Sequence, residues 1–244
     1  MKTVSKALRI VSILAEENVD LQLGVLANRS QLDKATVRRM LLALCDHGIV
    51  EQNPKTRAYG IGPAVLQLAR RRESARPLLK VVEPVVMEVS KKVGETTHFS
   101  TLSQGELSVL CSAESNQPTR VHIGEGSRLP LHTSGAGIAY LAAADDSFVE
   151  KVLGGVLEGN TQRSLTSKPE ILAAIETARL NGFASTDQIS EDDVCGVATA
   201  VIAGDGILLG SLAIATPSHR FDTKKEKRNA EALLKAAADL RKQL

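Results

Sequence analysis

A short basic segment near the amino terminus carries side chains suited to binding phosphate and base edges. Lys34, Arg38 and Arg39 lie in KATVRRM, and Lys55 and Arg57 lie in NPKTR a few residues later. Arginine can form paired hydrogen bonds with a guanine edge, and lysine can neutralise a phosphate. Solvation of a helix face is the alternative role and the usual one for charged pairs. The predicted helices and strands around these residues distinguish between the two interpretations.

A second segment, 134–137, could bind a small anion. It reads Ser-Gly-Ala-Gly and opens a stretch with helical spacing, so its first backbone N–H groups would lie free at the positive end of a helix dipole. Such a site suits a carboxylate. The alternative, which the residues alone leave open, is that Gly135 and Gly137 only allow close packing.

Thiol chemistry is the competing interpretation of the second half of the chain. Cys45, Cys111 and Cys195 are far apart and form no CxxC pair, so neither a disulfide framework nor a zinc site is indicated, and we expect no metal or cofactor. The histidines available to a thiol are His98, His122 and His132. Cys111 alternates with apolar residues, as a buried structural cysteine would, and Cys195 is the better candidate nucleophile. Because no catalytic spacing is recognisable, we predict that the protein is not an enzyme.

Composition favours a folded protein with a basic first part. Of the 244 residues, 43% are hydrophobic and only 2% are aromatic, which disfavours base-stacking platforms for single-stranded nucleic acid. Residues 1–76 hold 13 Lys and Arg against 7 Asp and Glu, a balance of +6, and the remainder carries −4. No signal-peptide pattern and no apolar run of about 20 residues is present, so we expect a cytoplasmic protein without a membrane partner. The charge asymmetry indicates a phosphate-binding surface in the first part.

Three predicted helices and a hairpin position the basic residues. The predicted elements are helices over 3–16, 21–29 and 33–46, and strands over 49–52 and 57–61. Asp33 is a good N-cap for the third helix, and Val37, Leu41 and Leu44 share its apolar face, which turns Arg39 outward. This order is that of a winged helix-turn-helix, predicted over 1–62 and followed by a linker helix over 63–76.

Residues 77–244 predict an α+β domain around an antiparallel sheet. The predicted helices span 78–93, 135–144, 146–153, 169–181 and 223–244, and the predicted strands span 98–102, 107–113, 197–203 and 207–215. Pro84 should kink or divide the first of these helices. Gly204, Asp205 and Gly206 are a strong hairpin signal between the last two strands.

Several motifs in a fixed order resemble those of the IclR-type transcriptional regulators, and they extend along essentially the whole chain. They are TVSKALRIVSILA, KATVRRMLLAL, a wing ending in YGIG, LPLHTSGAGIAYLA, and the closing LAIATP. The resemblance implies an amino-terminal winged helix-turn-helix and a GAF-like effector-binding domain. It also implies a homodimer or a dimer of dimers.

The resemblance further implies an effector pocket near the LPLHTSGAG loop and the strands facing it. Its residues in this chain are Val121, Ser134, Gly135, Ala136, Asp187 and Thr199. Some relatives carry serines where this chain has Ala213 and Ala215, and a Cys or Ser where it has Thr199. The segment GVATAVIAGDG is also shorter than usual and lacks a proline common there. One wall of the pocket is therefore expected to be less polar.

Together these observations predict a transcription regulator whose affinity for duplex operator DNA is controlled by a small-molecule effector, such as a small organic acid or catabolic intermediate. The predicted DNA-binding residues are Lys34, Thr36, Arg38, Arg39, Lys55 and Arg57. Two alternatives remain open: a thiol-dependent small enzyme, and a DNA-binding protein whose second domain only binds other proteins. Ligand binding to the native protein would distinguish sensing from pure protein interaction.

Overall fold

Apolar side chains gather in separate cores before and after residue 77. The computed structural model describes residues 3–17, 19–75 and 77–244, and the chain divides into two compact units, 1–77 and 78–244. The first unit has one apolar cluster, which includes Ile10, Leu26 and Leu41. The second unit has two clusters, one on each side of a β-sheet.

The first unit consists of three packed helices, a two-stranded hairpin and a fourth helix. The elements are α1 (Thr3–Ala15), α2 (Leu23–Ser30), α3 (Lys34–Asp46), β1 (Val50–Gln52), β2 (Tyr59–Ile61) and α4 (Ala64–Ala75). Asp33 is the N-cap of α3, and its carboxylate accepts a hydrogen bond from the Thr36 backbone N–H at 2.8 Å. Val37, Met40 and Leu41 are buried, so this face holds α3 against α1 and α2. The predicted three helices and wing are confirmed.

The hairpin differs from its prediction at two positions. Leu21, predicted to begin the second helix, instead pairs with Tyr59 through two backbone hydrogen bonds of 2.8 Å and extends the wing sheet. Arg57, predicted in the second strand, has φ 61°, and the strand begins at Tyr59. The reason is the side chain of Asn53, which accepts hydrogen bonds from the N–H groups of Lys55 and Thr56 and lengthens the turn.

The second unit is a six-stranded antiparallel sheet with helices on both faces. The strands are β3 (Thr96–Ser103), β4 (Glu106–Ala113), β5 (Arg128–Leu129), β6 (Ala184–Asp187), β7 (Val194–Ile202) and β8 (Leu208–Pro217), in the spatial order β5-β4-β3-β8-β7-β6. The helices are α5 (Leu78–Val93), α6 (Gly135–Ala143), α7 (Asp146–Leu153), α8 (Lys168–Asn181) and α9 (Thr223–Gln243), with a 3-10 turn at Ser218–Arg220. The predicted α+β class with an antiparallel sheet is confirmed.

Side chains of the central strands alternate between the two faces of the sheet, and each face packs against a different group of helices. Leu212 and Ile214 of β8 pack in the cluster with α5 and α9, whereas Ala213 packs in the cluster with α6, α7 and α8. Successive side chains of a strand point to opposite faces, so Ser211, Ala213 and Ala215 of β8 lie on the α6 side. That side therefore has room above the sheet.

Two local predictions need correction. Helix α5 is continuous through Pro84, so the predicted division does not occur, and the predicted kink stays a prediction. Pro84 lies on the exposed side of the helix, which leaves the packed face of Val82, Val86 and Val89 intact. The short strands β5 and β6 were not predicted. Strand β6 reads Ala-Ser-Thr-Asp, a polar sequence that forms a strand because β7 offers it an edge.

No helix in the described part of the chain is long and apolar enough to cross a lipid bilayer. The same residues contain no cluster of three or more His, Cys, Asp and Glu side chains placed to hold a metal ion.

Candidate functional site

The outer face of α3 presents its cations to solvent. Lys34, Arg38 and Arg39 are exposed, and none forms an ion pair with another described residue. Thr36 is half-buried, and its hydroxyl lies 3.5 Å from a guanidinium nitrogen of Arg39. On α2, by contrast, Arg29 forms ion pairs with Glu16 and Glu17. Helix α3 thus carries three cations without an ion pair among the described residues, and α1 carries two more, Lys6 and Arg9.

The wing turn carries two further exposed cations, Lys55 and Arg57, without ion pairs in the described ranges. Hydrogen bonds hold the turn in place. The side-chain amide of Gln22 donates to the Thr56 carbonyl at 2.9 Å, and that of Gln52 donates to the Arg57 carbonyl at 2.8 Å. The turn is therefore an ordered support for its two basic side chains.

In the second unit, a cavity of about 390 Å³ lies between the sheet and the start of α6. Its floor consists of small residues on two strands, β7 and β8. They are Gly196, Ala198, Ala213 and Ala215. Apolar side chains of the segment before β5 and of β5 itself, including Val121, Ile123 and Leu129, close part of its wall. The volume lies within the range of about 300 to 1,000 Å³ that is usual for small-molecule sites.

The start of α6 supplies two backbone donors to this cavity. Gly135 and Ala136 line it, and their N–H groups have no hydrogen-bond partner among the residues described. The hydroxyl of Ser134, in contrast, donates to the Pro130 carbonyl at 2.7 Å and accepts from the Gly137 N–H at 3.0 Å. Ser134 therefore caps the helix and orients the loop, and the free donors are backbone groups.

The two glycines of this turn have different structural demands. A Cβ on Gly137 would lie within 2.6 Å of three backbone atoms of Leu131, so this position needs glycine for packing. A Cβ on Gly135 would meet only side chains, the nearest being the Thr186 hydroxyl at 3.1 Å. The packing interpretation therefore applies to Gly137, and Gly135 is free to serve the cavity.

Of the six predicted effector-binding residues, the structure brings four to this cavity: Val121, Ser134, Gly135 and Ala136. It does not bring Asp187 or Thr199 there. Their sequence neighbours Thr186 and Ala198 line the cavity instead, because adjacent residues of a strand face opposite sides of the sheet.

Asp187 and Thr199 have other partners. The carboxylate of Asp187 forms an ion pair with Arg163 and accepts a hydrogen bond from the Cys195 thiol at 3.3 Å. The hydroxyl of Thr199 donates to the Gly182 carbonyl at 2.8 Å, which ties β7 to the end of α8. Both side chains thus support the structure around the sheet edge.

His98 also lines the cavity and was not predicted as a binding residue. Its side chain lies on the cavity side of β3, and only 4% of the residue is exposed. Burial lowers the pKa of His98 to about 4, so its imidazole is neutral at pH 7. The available signal was the alternation of Thr96, His98 and Ser100 with Phe99, which indicates a polar face on an otherwise buried strand.

The cysteines have the properties of structural thiols. Burial raises the pKa of Cys111 to about 12, and burial together with the hydrogen bond to Asp187 raises the pKa of Cys195 to about 12. A nucleophilic cysteine needs a lowered pKa and an adjacent base. The partner of Cys195 is instead a carboxylate, which stabilises the protonated thiol.

Known proteins resemble this chain over its full length. A model of the IclR helix-turn-helix domain matches residues 3–54, and a model of the carboxy-terminal domain of bacterial IclR transcriptional regulators matches residues 73–242. The Pca regulon regulatory protein of Pseudomonas putida is 27% identical over 100% of this chain and 84% of its own length. The transcriptional repressor IclR of Escherichia coli K12 is 23% identical, covering 98% of this chain and 89% of the repressor.

Two solved structures have the same fold. A crystal structure of an IclR-type regulator from Silicibacter sp. TM1040 has a TM-score of 0.88 and 34% identity, covering 99% of this chain and 96% of that one. An IclR homologue from Microbacterium hydrocarbonoxydans, crystallised with 4-hydroxybenzoate, has a TM-score of 0.86 and 20% identity, covering 99% and 98%.

A winged helix-turn-helix with a basic third helix, joined to a sheet domain with a small-molecule cavity, defines a DNA-binding transcription regulator with an effector-binding domain. The family-model matches extend over more than half of the chain. The chain therefore belongs to the IclR family of bacterial transcriptional regulators.

Proposed function

We propose that the effector of this regulator is a small organic acid whose carboxylate binds the free N–H groups of Gly135 and Ala136. The observation that carries this proposal is the absence of any partner for these two donors among the described residues, at a helix start that opens into the cavity. The helix dipole adds positive potential at the same point. An anion there would satisfy both donors at once.

The floor of the cavity favours a small acid with an apolar body. Its Ala and Gly residues offer no side-chain hydrogen bond, and the guanidinium of Arg128 is already engaged by Glu106 and Gln104. The ligand of the Microbacterium homologue, 4-hydroxybenzoate, is an acid of this kind, which supports the proposal for the present chain.

We assign operator binding to the outer face of α3 and to the wing. Helix α3 would enter the major groove, with Arg38 and Arg39 near base edges, and the wing cations would contact the phosphate backbone. The proposed DNA-contact set is Lys34, Thr36, Arg38, Arg39, Lys55 and Arg57. Their exposure and the lack of described ion partners support this assignment.

Self-association is the further part of the proposed function. One winged helix covers only half of a typical operator, so two copies held together should bind much more tightly. Helix α4 has no buried residue, with Leu66 and Leu68 55% and 61% exposed, and a helix of this length is marginally stable by itself in water. On α1, Val4 and Leu8 are 69% and 58% exposed. A second copy of the chain would cover such apolar surface, as a dimer or within a dimer of dimers.

We place this function in the cytoplasm, where the operator DNA of a bacterial-type regulator lies, and we assign no catalytic activity to the chain. The raised pKa values of Cys111 and Cys195 support the second statement, because protonated buried thiols are poor nucleophiles.

A proline at position 135 tests the carboxylate site directly. Gly135 is the first residue of α6, a position that favours proline, and Ser134 before it has φ −133° and ψ 147°, which proline tolerates in its neighbour. Gly135→Pro should therefore preserve the helix and remove one proposed donor. Loss of a charge-assisted hydrogen bond of about 1.5 to 3 kcal/mol would weaken acid binding by roughly tenfold or more. Binding is measured by thermal shift and by calorimetry with a panel of small carboxylic acids.

Gly135→Ala is the matched control, since it adds the same Cβ and keeps the N–H. Its Cβ meets the rotatable Thr186 side chain, so acid binding should remain close to that of the wild type. Equal affinities for the proline and alanine variants would rule out the backbone site. If no acid raised the melting temperature of the wild-type protein, the interaction-domain alternative would replace acid sensing.

A further inference from the structure

The segment before α2 runs along the wing and contacts it at successive residues. Leu21 pairs with Tyr59 of β2 through two backbone hydrogen bonds of 2.8 Å. The next residue, Gln22, reaches further, and its side-chain amide donates to the Thr56 carbonyl at 2.9 Å. Thr56 lies in the turn between the two wing strands. The second contact therefore holds the tip of the wing.

Gln22 occupies a position whose side chain usually serves the helix. It is the N-cap of α2, with φ −71° and ψ 148°, and its side chain makes no hydrogen bond to the first turn of that helix. Short polar side chains are preferred at an N-cap because they accept a hydrogen bond from a backbone N–H of the first turn. In this chain the side-chain amide of the N-cap residue is directed to the wing, and α2 has no side-chain cap from it.

The other contacts of the hairpin fix its base and its internal shape. Ile49, next to β1, donates its N–H to the Leu44 carbonyl of α3 at 3.0 Å. Within the turn, Asn53 accepts hydrogen bonds from the N–H groups of Lys55 and Thr56. Neither interaction sets where the turn lies relative to α2. Among the described residues, Gln22 is the one outside the hairpin that forms a hydrogen bond with the turn.

The peptide held by Gln22 lies between the two wing cations. The Thr56 carbonyl belongs to the peptide bond that joins Thr56 to Arg57, and Lys55 is the residue before it. Helix α2 packs on α3 in the core of the first unit. Fixing this peptide to the start of α2 therefore also fixes the distance between the wing cations and the outer face of α3. A surface whose parts are already in place loses less conformational freedom when it binds.

We propose that Gln22 is a positioning residue for DNA binding, which holds the wing tip so that Lys55 and Arg57 reach phosphates of the duplex whose groove α3 enters. The inference rests on the proposed function, which assigns phosphate contacts to these two cations. It adds a residue that touches no DNA itself and acts through the wing.

The test uses the full-length protein and duplex DNA of random sequence, because phosphate contacts do not depend on the base sequence. Gln22→Met keeps the length of the side chain and removes the donor. It should weaken binding by about two- to tenfold, the range expected for one hydrogen bond, and lower the salt slope towards that of the double variant Lys55→Ala/Arg57→Ala. In the background of this double variant, Gln22→Met should have no further effect. Fluorescence anisotropy at several salt concentrations measures affinity and slope.

Gln22→Ser separates positioning from stability. The backbone at this position already has the extended conformation of an N-cap, so a serine hydroxyl should accept a hydrogen bond from the first turn of α2. The same side chain is too short to reach the Thr56 carbonyl. The variant should therefore melt at or above the temperature of the wild type and still bind random DNA as weakly as Gln22→Met. If Gln22 only stabilised the fold, the DNA affinities of the two variants would follow their melting temperatures.

Gln162→Met is the matched control, since it makes the same substitution at an exposed glutamine in a loop of the second unit. It should change neither the melting temperature nor the affinity for DNA.

The outcomes separate this inference from the proposed function. If the double variant binds DNA as tightly as the wild type, the assigned wing contacts fail and the role of Gln22 fails with them. If the double variant binds more weakly but Gln22→Met and Gln22→Ser do not, the wing contacts stand and the role of Gln22 is wrong. An equal loss from Gln22→Met in the wild type and in the double variant would show that Gln22 contacts DNA itself, which also overturns the positioning role.

Discussion

Exposed cations of the first unit differ in how firmly their surroundings hold them. Arg39 projects from the middle of α3, a helix fixed by the Asp33 cap and by three buried side chains. Lys55 lies in the turn held by Asn53, and its flexible side chain extends into solvent. A guanidinium, whose donors form a fixed planar fork, suits the edge of a base, and an ammonium on a flexible stem suits a phosphate.

Arg39→Ala and Lys55→Ala should therefore change DNA binding in different ways. Loss of Arg39 should reduce discrimination between operator and random DNA by about 1 to 3 kcal/mol. Loss of Lys55 should weaken binding to all sequences and lower the salt slope by about one. Fluorescence anisotropy with both DNAs at several salt concentrations measures these effects.

Arg29→Ala is a suitable control, because Arg29 is already paired with Glu16 and Glu17. It should have a smaller effect on DNA affinity than either variant. If Arg39→Ala lowers the affinity for operator DNA and for random DNA equally, then Arg39 contacts the DNA backbone. Lys34 or Arg38 would then be the residue that contacts the bases.

At the scale of elements, a buried carboxylate joins the end of α5 to the segment before α9. Glu95 is 1% exposed and accepts hydrogen bonds of 2.9 and 2.7 Å from Arg220, and it also pairs with Lys225 in the first turn of α9. Burial alone would raise the pKa of Glu95, but these two cations outweigh it and hold the pKa below its usual value of 4.5. Arg220 also donates to the Thr119 carbonyl, so the same cluster anchors the segment that leads to the cavity wall.

Glu95→Gln should destabilise the protein by about 2 kcal/mol at pH 7, because hydrogen bonds to charged groups are lost and two cations remain. A lowered folded-state pKa means that the ionised carboxylate stabilises the native state above pH 4.5 and that this stability is lost as the pH falls further. The difference from wild type should therefore shrink on acidification. Urea unfolding between pH 3 and pH 7 measures it.

Glu114→Gln serves as the comparison, since Glu114 pairs with Arg120 and His122 at the surface, where solvent screens the charges. It should have little effect at any pH in this range. A constant difference between Glu95→Gln and wild type from pH 7 to pH 3 would show that packing, and not ionisation, accounts for the role of Glu95.

At the scale of the whole molecule, operator affinity should depend on the proposed dimer, which forms through the exposed apolar surface of the first unit. The full chain should sediment as a dimer or larger species at micromolar concentration and bind pseudo-palindromic DNA. Leu68→Glu should shift this equilibrium towards monomer and weaken operator binding by at least tenfold, because the second half-site then binds independently. Analytical ultracentrifugation and anisotropy follow the two properties.

Val156→Glu is the matched control, since Val156 is 83% exposed in a loop of the second unit. It should change neither property. A monomeric wild-type chain with high operator affinity would contradict the proposed role of self-association.

Local patterns in the sequence were sufficient for the helices, the wing and the fold class. Capping by Asp33, the periodic apolar face of α3 and the turn at 53–56 depend on residues within a few positions of each other. The Ser-Gly-Ala-Gly helix start at 134–137 was predicted for the same reason. Apolar spacing also predicted the strands that form the centre of the sheet, although their ends shifted by one to three residues.

Only the tertiary structure decided which side chains meet in the cavity. Thr186 and Ala198 line it and their neighbours Asp187 and Thr199 do not, because pairing between β6, β7 and β8 sets which face of each strand turns towards α6. His98 reaches the same space through its pairing with Ala213, more than 100 positions away in the chain. The side chains of an isolated strand alternate between two faces, and either face could line the cavity. Only the assembled sheet determines which one does.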